Sequence, residues 1–135
     1  MRIWNFTRHA INIIEDCAFN PKLRKYVYTG GEGKYIIKKA LTSDGILNAK
    51  IGVSDKPAKV IDGMPVWEKS IKGIDNIPDE VADDDIIVVS ALYAAACSMC
   101  SGKDYRLYTV SDPVYIEDTD GNFKIVGCRG ICPAF

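Results

Sequence analysis

The chain has 135 residues, with 47% hydrophobic and 26% charged side chains, which is one domain's worth of ordinary globular sequence. That composition excludes a disordered tail, a collagen-like fibre and a coiled coil. Seventeen Lys and Arg face eighteen Asp and Glu, a formal charge of −1, so the basic excess of a duplex nucleic-acid binder is missing while a local basic pocket stays allowed.

In chain order, residues 2–6 and 10–15 read as two strands around a turn holding Arg8 and the sole histidine, His9. Residues 23–28 alternate aromatic and polar side chains and read as a third strand. The stretch Gly30-Gly31-Glu32-Gly33 reads as a hairpin turn, with residues 35–39 as the returning strand. A phosphate-loop reading of those glycines fails, because no Lys-Ser or Lys-Thr stands at the required offset. Residues 46–53 suit a strand; residues 59–61, the turn Asp62-Gly63 and residues 65–71 suit a second hairpin. From 72 to 85 the chain is polar and rich in acids, and reads as an irregular connection without a calcium-loop pattern.

Residues 86–89 form a compact β-branched run, the strongest buried-strand signal in the chain. Ser90 then stands at the N-cap of an apolar helix over 91–100, closed by Ser101-Gly102. Residues 105–110, 114–117 and 123–127 read as three further strands, the last two joined by the turn at 118–122. The sum is a single α+β domain over 1–135, predominantly antiparallel sheet with one or two helices. It has a β-rich N-terminal half over 1–72 and a strand-helix-strands part over 86–135. The apolar run 86–97 is too short to cross a bilayer, and the first nine residues lack a signal peptide's pattern. A soluble protein that stays where it is made is therefore expected.

Five cysteines, Cys17, Cys97, Cys100, Cys128 and Cys132, are expected as free thiols in a reducing compartment. Cys97-x2-Cys100 with Cys128-x3-Cys132 has tolerable zinc spacing. Against it, the first pair ends an alanine-rich helical run, and the apolar content suffices for folding without metal. No metal or cofactor is expected. No nucleophile elbow or zinc-protease motif is present, and His9 has no partner near in sequence.

The chemistry that remains gathers in the final third. The N–H groups that open the helix at Ser90 suit a phosphate. Lys103, Arg106 and Arg129 lie among Tyr93, Tyr105 and Tyr108. Guanidinium groups grip phosphate by two prongs, and aromatic faces stack on a base. The competing reading is that arginines and tyrosines at strand ends are ordinary surface.

The opening Asn5-Phe6-Thr7-Arg8-His9-Ala10-Ile11-Asn12-Ile13 resembles the Asn-Leu-Thr-x-His-x-Ile/Val start of a family of small phage and bacterial proteins. The blocks Gly63-Met64-Pro65-Val66, 74–78, Ile87-Val88-Val89-Ser90, the turn at 118–121 and Ile125-Val126-Gly127-Cys128-Arg129-Gly130 follow in that family's order. The set resembles the first-described Thoeris anti-defence family. The resemblance implies a phage protein, working in the cytoplasm of the infected host. It would sequester cyclic ADP-ribose isomers, and in some members cyclic di- or trinucleotides made by cGAS-like enzymes, without cleaving them. It also implies dimers or hexamers with ligand sites at subunit boundaries. Carried onto this chain, Arg129 and Arg106 become the phosphate contacts and Tyr93 or Tyr105 the base-stacking partner. Residues 20–60 fit the family's pattern poorly, which puts any second ligand site in doubt. The alternatives are a small phosphodiesterase acting on the same signals, with His9 as its acid or base, and a zinc-stabilised interaction module.

Overall fold

A computed structural model of the chain describes residues 1–30 and 35–135. The strands in chain order are β1 (Ile3–Asn5), β2 (Ile11–Ile13), β3 (Cys17–Asn20), β4 (Lys25–Tyr28), β5 (Lys39–Leu41), β6 (Ala49–Val53) and β7 (Lys59–Ile61). They continue with β8 (Met64–Val66), β9 (Lys69–Ile74), β10 (Ile86–Val88), then helix α1 (Ala91–Ser101), β11 (Leu107–Val110), β12 (Pro113–Glu117), β13 (Phe123–Cys128) and β14 (Ile131–Pro133). The coarse α+β reading is met, with a single helix among the described residues.

Two mixed sheets carry the fold. The first has the order β1-β10-β11-β14, with β10 parallel to both β1 and β11 and only β14 antiparallel. The second has the order β3-β4-β12-β13-β2-β5, in which β4–β12 and β2–β13 are parallel and the rest antiparallel. The expectation of predominantly antiparallel sheet is therefore corrected to mixed sheet. Strands from the first twenty-eight residues pair with strands beyond residue 85, and such long-range parallel partners leave no turn signal between them. Two short antiparallel pairs, β6–β9 and β7–β8, complete the set.

The β10–α1–β11 unit is built by local chemistry. Alternation along β10 sends its side chains to opposite faces. Ile87 and Val89 join Trp4, Phe6, Tyr93, Ala94, Cys97 and Leu107 in one core cluster; Val88 joins Ile11 and Cys128 in another. Full burial of one such aliphatic side chain stabilises by about 1.5–3 kcal/mol. Ser90 is extended, at φ −67° and ψ 153°, and its Oγ accepts the Tyr93 N–H at 3.1 Å, the N-cap bond expected from the sequence. At the far end Gly102 takes φ +89°, which stops the helix.

Further expectations change. Strand β4 pairs with β3, not with residues 35–39; β5 instead pairs with β2. The turn expected at 30–33 falls largely outside the described residues. The second hairpin closes earlier than expected, β7 on β8, and β9 runs on to Ile74 as the partner of β6. Strands β3 and β14 carry no alternating run long enough to announce them. A third cluster, Ile14, Val114 and Val126 with Tyr26, Tyr28 and Ile116 packed against it, holds the six-stranded sheet together.

Candidate functional site

Helix α1 places two of the sequence-derived residues where they serve the fold. The Ser90 hydroxyl is engaged as N-cap. Tyr93 is 1% exposed, and its hydroxyl donates to the Asp75 carbonyl oxygen at 2.6 Å. Burial, first of all, pushes this phenol up to about 12. A ring so enclosed offers no face for stacking.

Beside the C-terminal end of α1 lies a cleft of about 390 Å³ whose wall includes Asp75, Tyr93, Lys103, Asp104 and Tyr105. Tyr105 is 75% exposed and meets the Phe135 ring edge-on at 6.4 Å between centroids. Arg106 reaches Asp104 with two prongs, Nε to Oδ1 at 3.0 Å and Nη2 to Oδ2 at 2.8 Å. Its remaining Nη1 donates to the Ala82 carbonyl at 3.4 Å. That bidentate bond holds the Asp104 carboxyl below its ordinary range and raises the guanidinium. The cleft thus combines two carboxylates, one ammonium and the carbonyl-rich end of a helix, a setting that disfavours a phosphate.

Arg129 is elsewhere. Arg106 precedes β11, whereas the Arg129 N–H donates to the Asp112 carbonyl at 3.1 Å, beyond the other end of that strand. The two guanidiniums share neither a carboxylate nor a hollow among the described residues. Each is anchored to its own carboxylate, Arg129 Nη1 donating to Asp112 Oδ2 at 3.2 Å.

Around Arg129 the parallel pairing of β4 with β12 assembles a basic and aromatic face that sequence reasoning missed. The guanidinium lies 4.2 Å from the Tyr26 ring centroid. Lys25 Nζ sits 4.7 Å above Tyr115 and 5.9 Å from Phe123. Phe19 leans on Tyr26 at 5.3 Å and 58°. Arg24 stands in the β3–β4 turn with φ +53°, in a turn whose Asn20 Oδ1 accepts the N–H groups of Lys22 at 3.0 Å and Leu23 at 3.2 Å. A hollow of about 220 Å³ lies among Phe19, Arg24, Lys25, Tyr26, Asp112 and Tyr115. Arg24 and Lys25 line this hollow with Asp112 as its one carboxylate, and Arg129 holds that carboxylate from beside it. The Lys-Tyr-Val-Tyr alternation and the strand at 114–117 were visible in the sequence; their parallel pairing was not.

A third hollow, about 440 Å³, opens between the β1–β2 turn and the β11–β12 connection. Ser111 lines it, and the Ser111 Oγ is buried with no hydrogen-bond partner among the described residues. A hydroxyl left in that state costs about 1–3 kcal/mol.

The cysteines are distributed rather than gathered. Cys97 and Cys128 are buried in different core clusters, and burial pushes both thiols up. Cys132 contacts the Thr109 hydroxyl at 3.6 Å. Among the described residues no three His, Cys, Asp or Glu side chains are grouped to hold a metal ion. Among the same residues, no helix is long and apolar enough to cross a membrane.

No family model matches this chain, and neither a curated protein nor a solved structure matches it.

Proposed function

We propose that this chain is a non-catalytic binding protein for a phosphate-bearing nucleotide, gripped at the Arg129 face. The observation that carries the reading is the Arg129 guanidinium lying 4.2 Å over Tyr26 beside the hollow that Arg24, Lys25 and Tyr115 share. Guanidinium and ammonium groups there meet phosphate oxygens, and the ring of Tyr115 or Phe19 takes a base or a ribose edge. The sequence resemblance points to the ligand class: cyclic ADP-ribose isomers and cyclic di- or trinucleotides used as immune signals. In that reading the protein is a phage anti-defence sponge acting in the host cytoplasm. A hollow of about 220 Å³ is small for a whole cyclic dinucleotide. Seating one there calls for a second copy of the chain to supply the remaining wall, in keeping with a dimer or hexamer.

Sequestration asks for retention, not turnover. The test is calorimetry with cyclic ADP-ribose isomers and cyclic dinucleotides, followed by heat release and chromatography of the ligand. Saturable binding with intact ligand recovered supports the reading. Conversion of ligand by substoichiometric protein makes the chain a phosphodiesterase instead, and no heat from any of these nucleotides ends the proposal.

A further inference from the structure

We propose that the hollow between the β1–β2 turn and the β11–β12 connection is a separate site for a small organic anion with an apolar body. Its volume of about 440 Å³ lies in the range of small-molecule sites, about 300–1,000 Å³. Val110, Pro113 and Ile125 supply apolar wall, and Val110 and Ile125 remain 42% and 61% exposed. Arg8 and His9 stand at the rim, no acidic residue lines the hollow, and neither side chain enters an ion pair or hydrogen bond among the described residues.

The rim is held in place before any ligand arrives. Asn5 is 0% exposed, and its Nδ2 donates to the carbonyls of His9 and Leu41, each at 3.0 Å. Its Oδ1 accepts from the Thr7 N–H at 3.0 Å and from the Thr7 hydroxyl at 2.6 Å. Phe6 anchors the same turn in the core, stacked on Trp4 at 5.6 Å between centroids. The turn that carries Arg8 and His9 is thus tied at both ends, which lowers the entropy lost when they engage an anion.

Apolar wall and an acid-free rim carrying the Arg8 guanidinium together select a molecule with a hydrocarbon or aryl body and one carboxylate-type head. The body lies on Val110 and Ile125, and the head faces Arg8 and His9. The site is independent of Arg129 and of the nucleotide reading.

The experiment is a titration of the full ¹⁵N-labelled chain with octanoate, with octylammonium and 1-octanol as charge controls, followed by amide shifts. Saturable shifts at residues 8–10, 110–112 and 125 with octanoate, and weaker ones with octylammonium, are expected. Arg8→Ala weakens octanoate about tenfold and leaves 1-octanol unchanged, as for loss of a charge-assisted contact. Ile125→Glu, at an exposed position, removes binding of both, while Arg129→Ala alters neither. Equal shifts with octanoate and octylammonium, shifts confined to the exposed β7–β8 hairpin, or no shift at millimolar octanoate would each overturn the proposal.

Discussion

The guanidinium of Arg129 lies over the ring of Tyr26 with 4.2 Å between its centre and the ring centroid, while its Nη1 holds Asp112 at 3.2 Å. Stacking fixes the plane of the fork, and the carboxylate occupies one side of it, so the remaining N–H groups point in a defined direction. Lysine keeps the charge but has neither plane nor fork. Arg129→Lys is therefore expected to lose most of what Arg129→Ala loses in nucleotide affinity, about ten- to a hundredfold, the worth of a charge-assisted hydrogen bond. Calorimetry at two salt concentrations checks this: equal affinity of Arg129→Lys and wild type would mean that charge alone matters there.

Asp85 ties the chain's start to β10. Its Oδ2 accepts the Trp4 indole N–H and the Ala82 N–H, both at 2.9 Å, and its Oδ1 accepts the Arg2 N–H at 2.9 Å. These bonds, the Trp4 indole foremost, hold the carboxyl at about 2. A carboxyl depressed on folding contributes stability that is complete above the unfolded value of about 3.9 and is lost as pH falls through the folded value. Asp85→Asn should melt lower than wild type at pH 7, and the gap should close between pH 4 and pH 2. Thermal melts of both proteins across that window decide it; a gap independent of pH would mean that the charge of Asp85 plays no part.

What could be read from the sequence follows the range over which the signal acts. The β7–β8 hairpin was legible because Asp62 and Gly63 both take positive φ, +48° and +78°, the demand of a two-residue primed turn that the Asp-Gly pair announces. Helix α1 was legible because its cap, apolar body and closing glycine are contiguous. The parallel partners of β1, β2 and β4 were not, since nothing near those strands specifies β10, β13 and β12. The same limit governs the site. Arg129 could be singled out by type, but its neighbours Arg24, Lys25 and Tyr26 come from the far end of the chain. The engagement of Arg106 lay closer at hand: Asp104, two residues before it, is the near carboxylate that holds it.

Tyr93 yields a prediction that separates a structural role from a stacking role. Its hydroxyl bonds the Asp75 carbonyl at 2.6 Å, and burial, aided by the nearby Cys97, Asp75 and Asp104, pushes the phenol up to about 12. A phenol raised on folding contributes stability that is complete below the unfolded value of about 10 and is lost as pH rises through the folded one. Tyr93→Phe should cost about 1 kcal/mol at pH 7, the net worth of one buried hydrogen bond. The penalty should shrink between pH 10 and pH 12. Because the ring faces the core, nucleotide affinity should not change. Urea unfolding at pH 7 and pH 11, with calorimetry at pH 7, tests all three statements, and a loss of affinity without a loss of stability would return Tyr93 to the ligand.

Gly127 marks where the chain's start and its final third press together. A Cβ added there would overlap the Asn12 carbonyl oxygen and lie 2.7 Å from Ile14 Cγ1. The first of these is backbone and cannot swing aside, and β2 meets β13 at this place through the parallel match of Ile13 with Cys128. The neighbouring Ile14 N–H donates to the Cys128 carbonyl at 2.9 Å. Relieving the overlap must part the two strands, stretch that bond and loosen Ile14, which is 0% exposed in the cluster with Val114 and Val126. Gly127→Ala is expected to destabilise the fold by about 1–3 kcal/mol, the range for overpacking a tight interior. Denaturant unfolding measures this directly, and hydrogen exchange locates it: the Ile14 amide should lose protection more than amides of β10. Full stability in Gly127→Ala would mean that β2 and β13 do not approach this closely, and the six-stranded order of the second sheet would have to be redrawn at that seam.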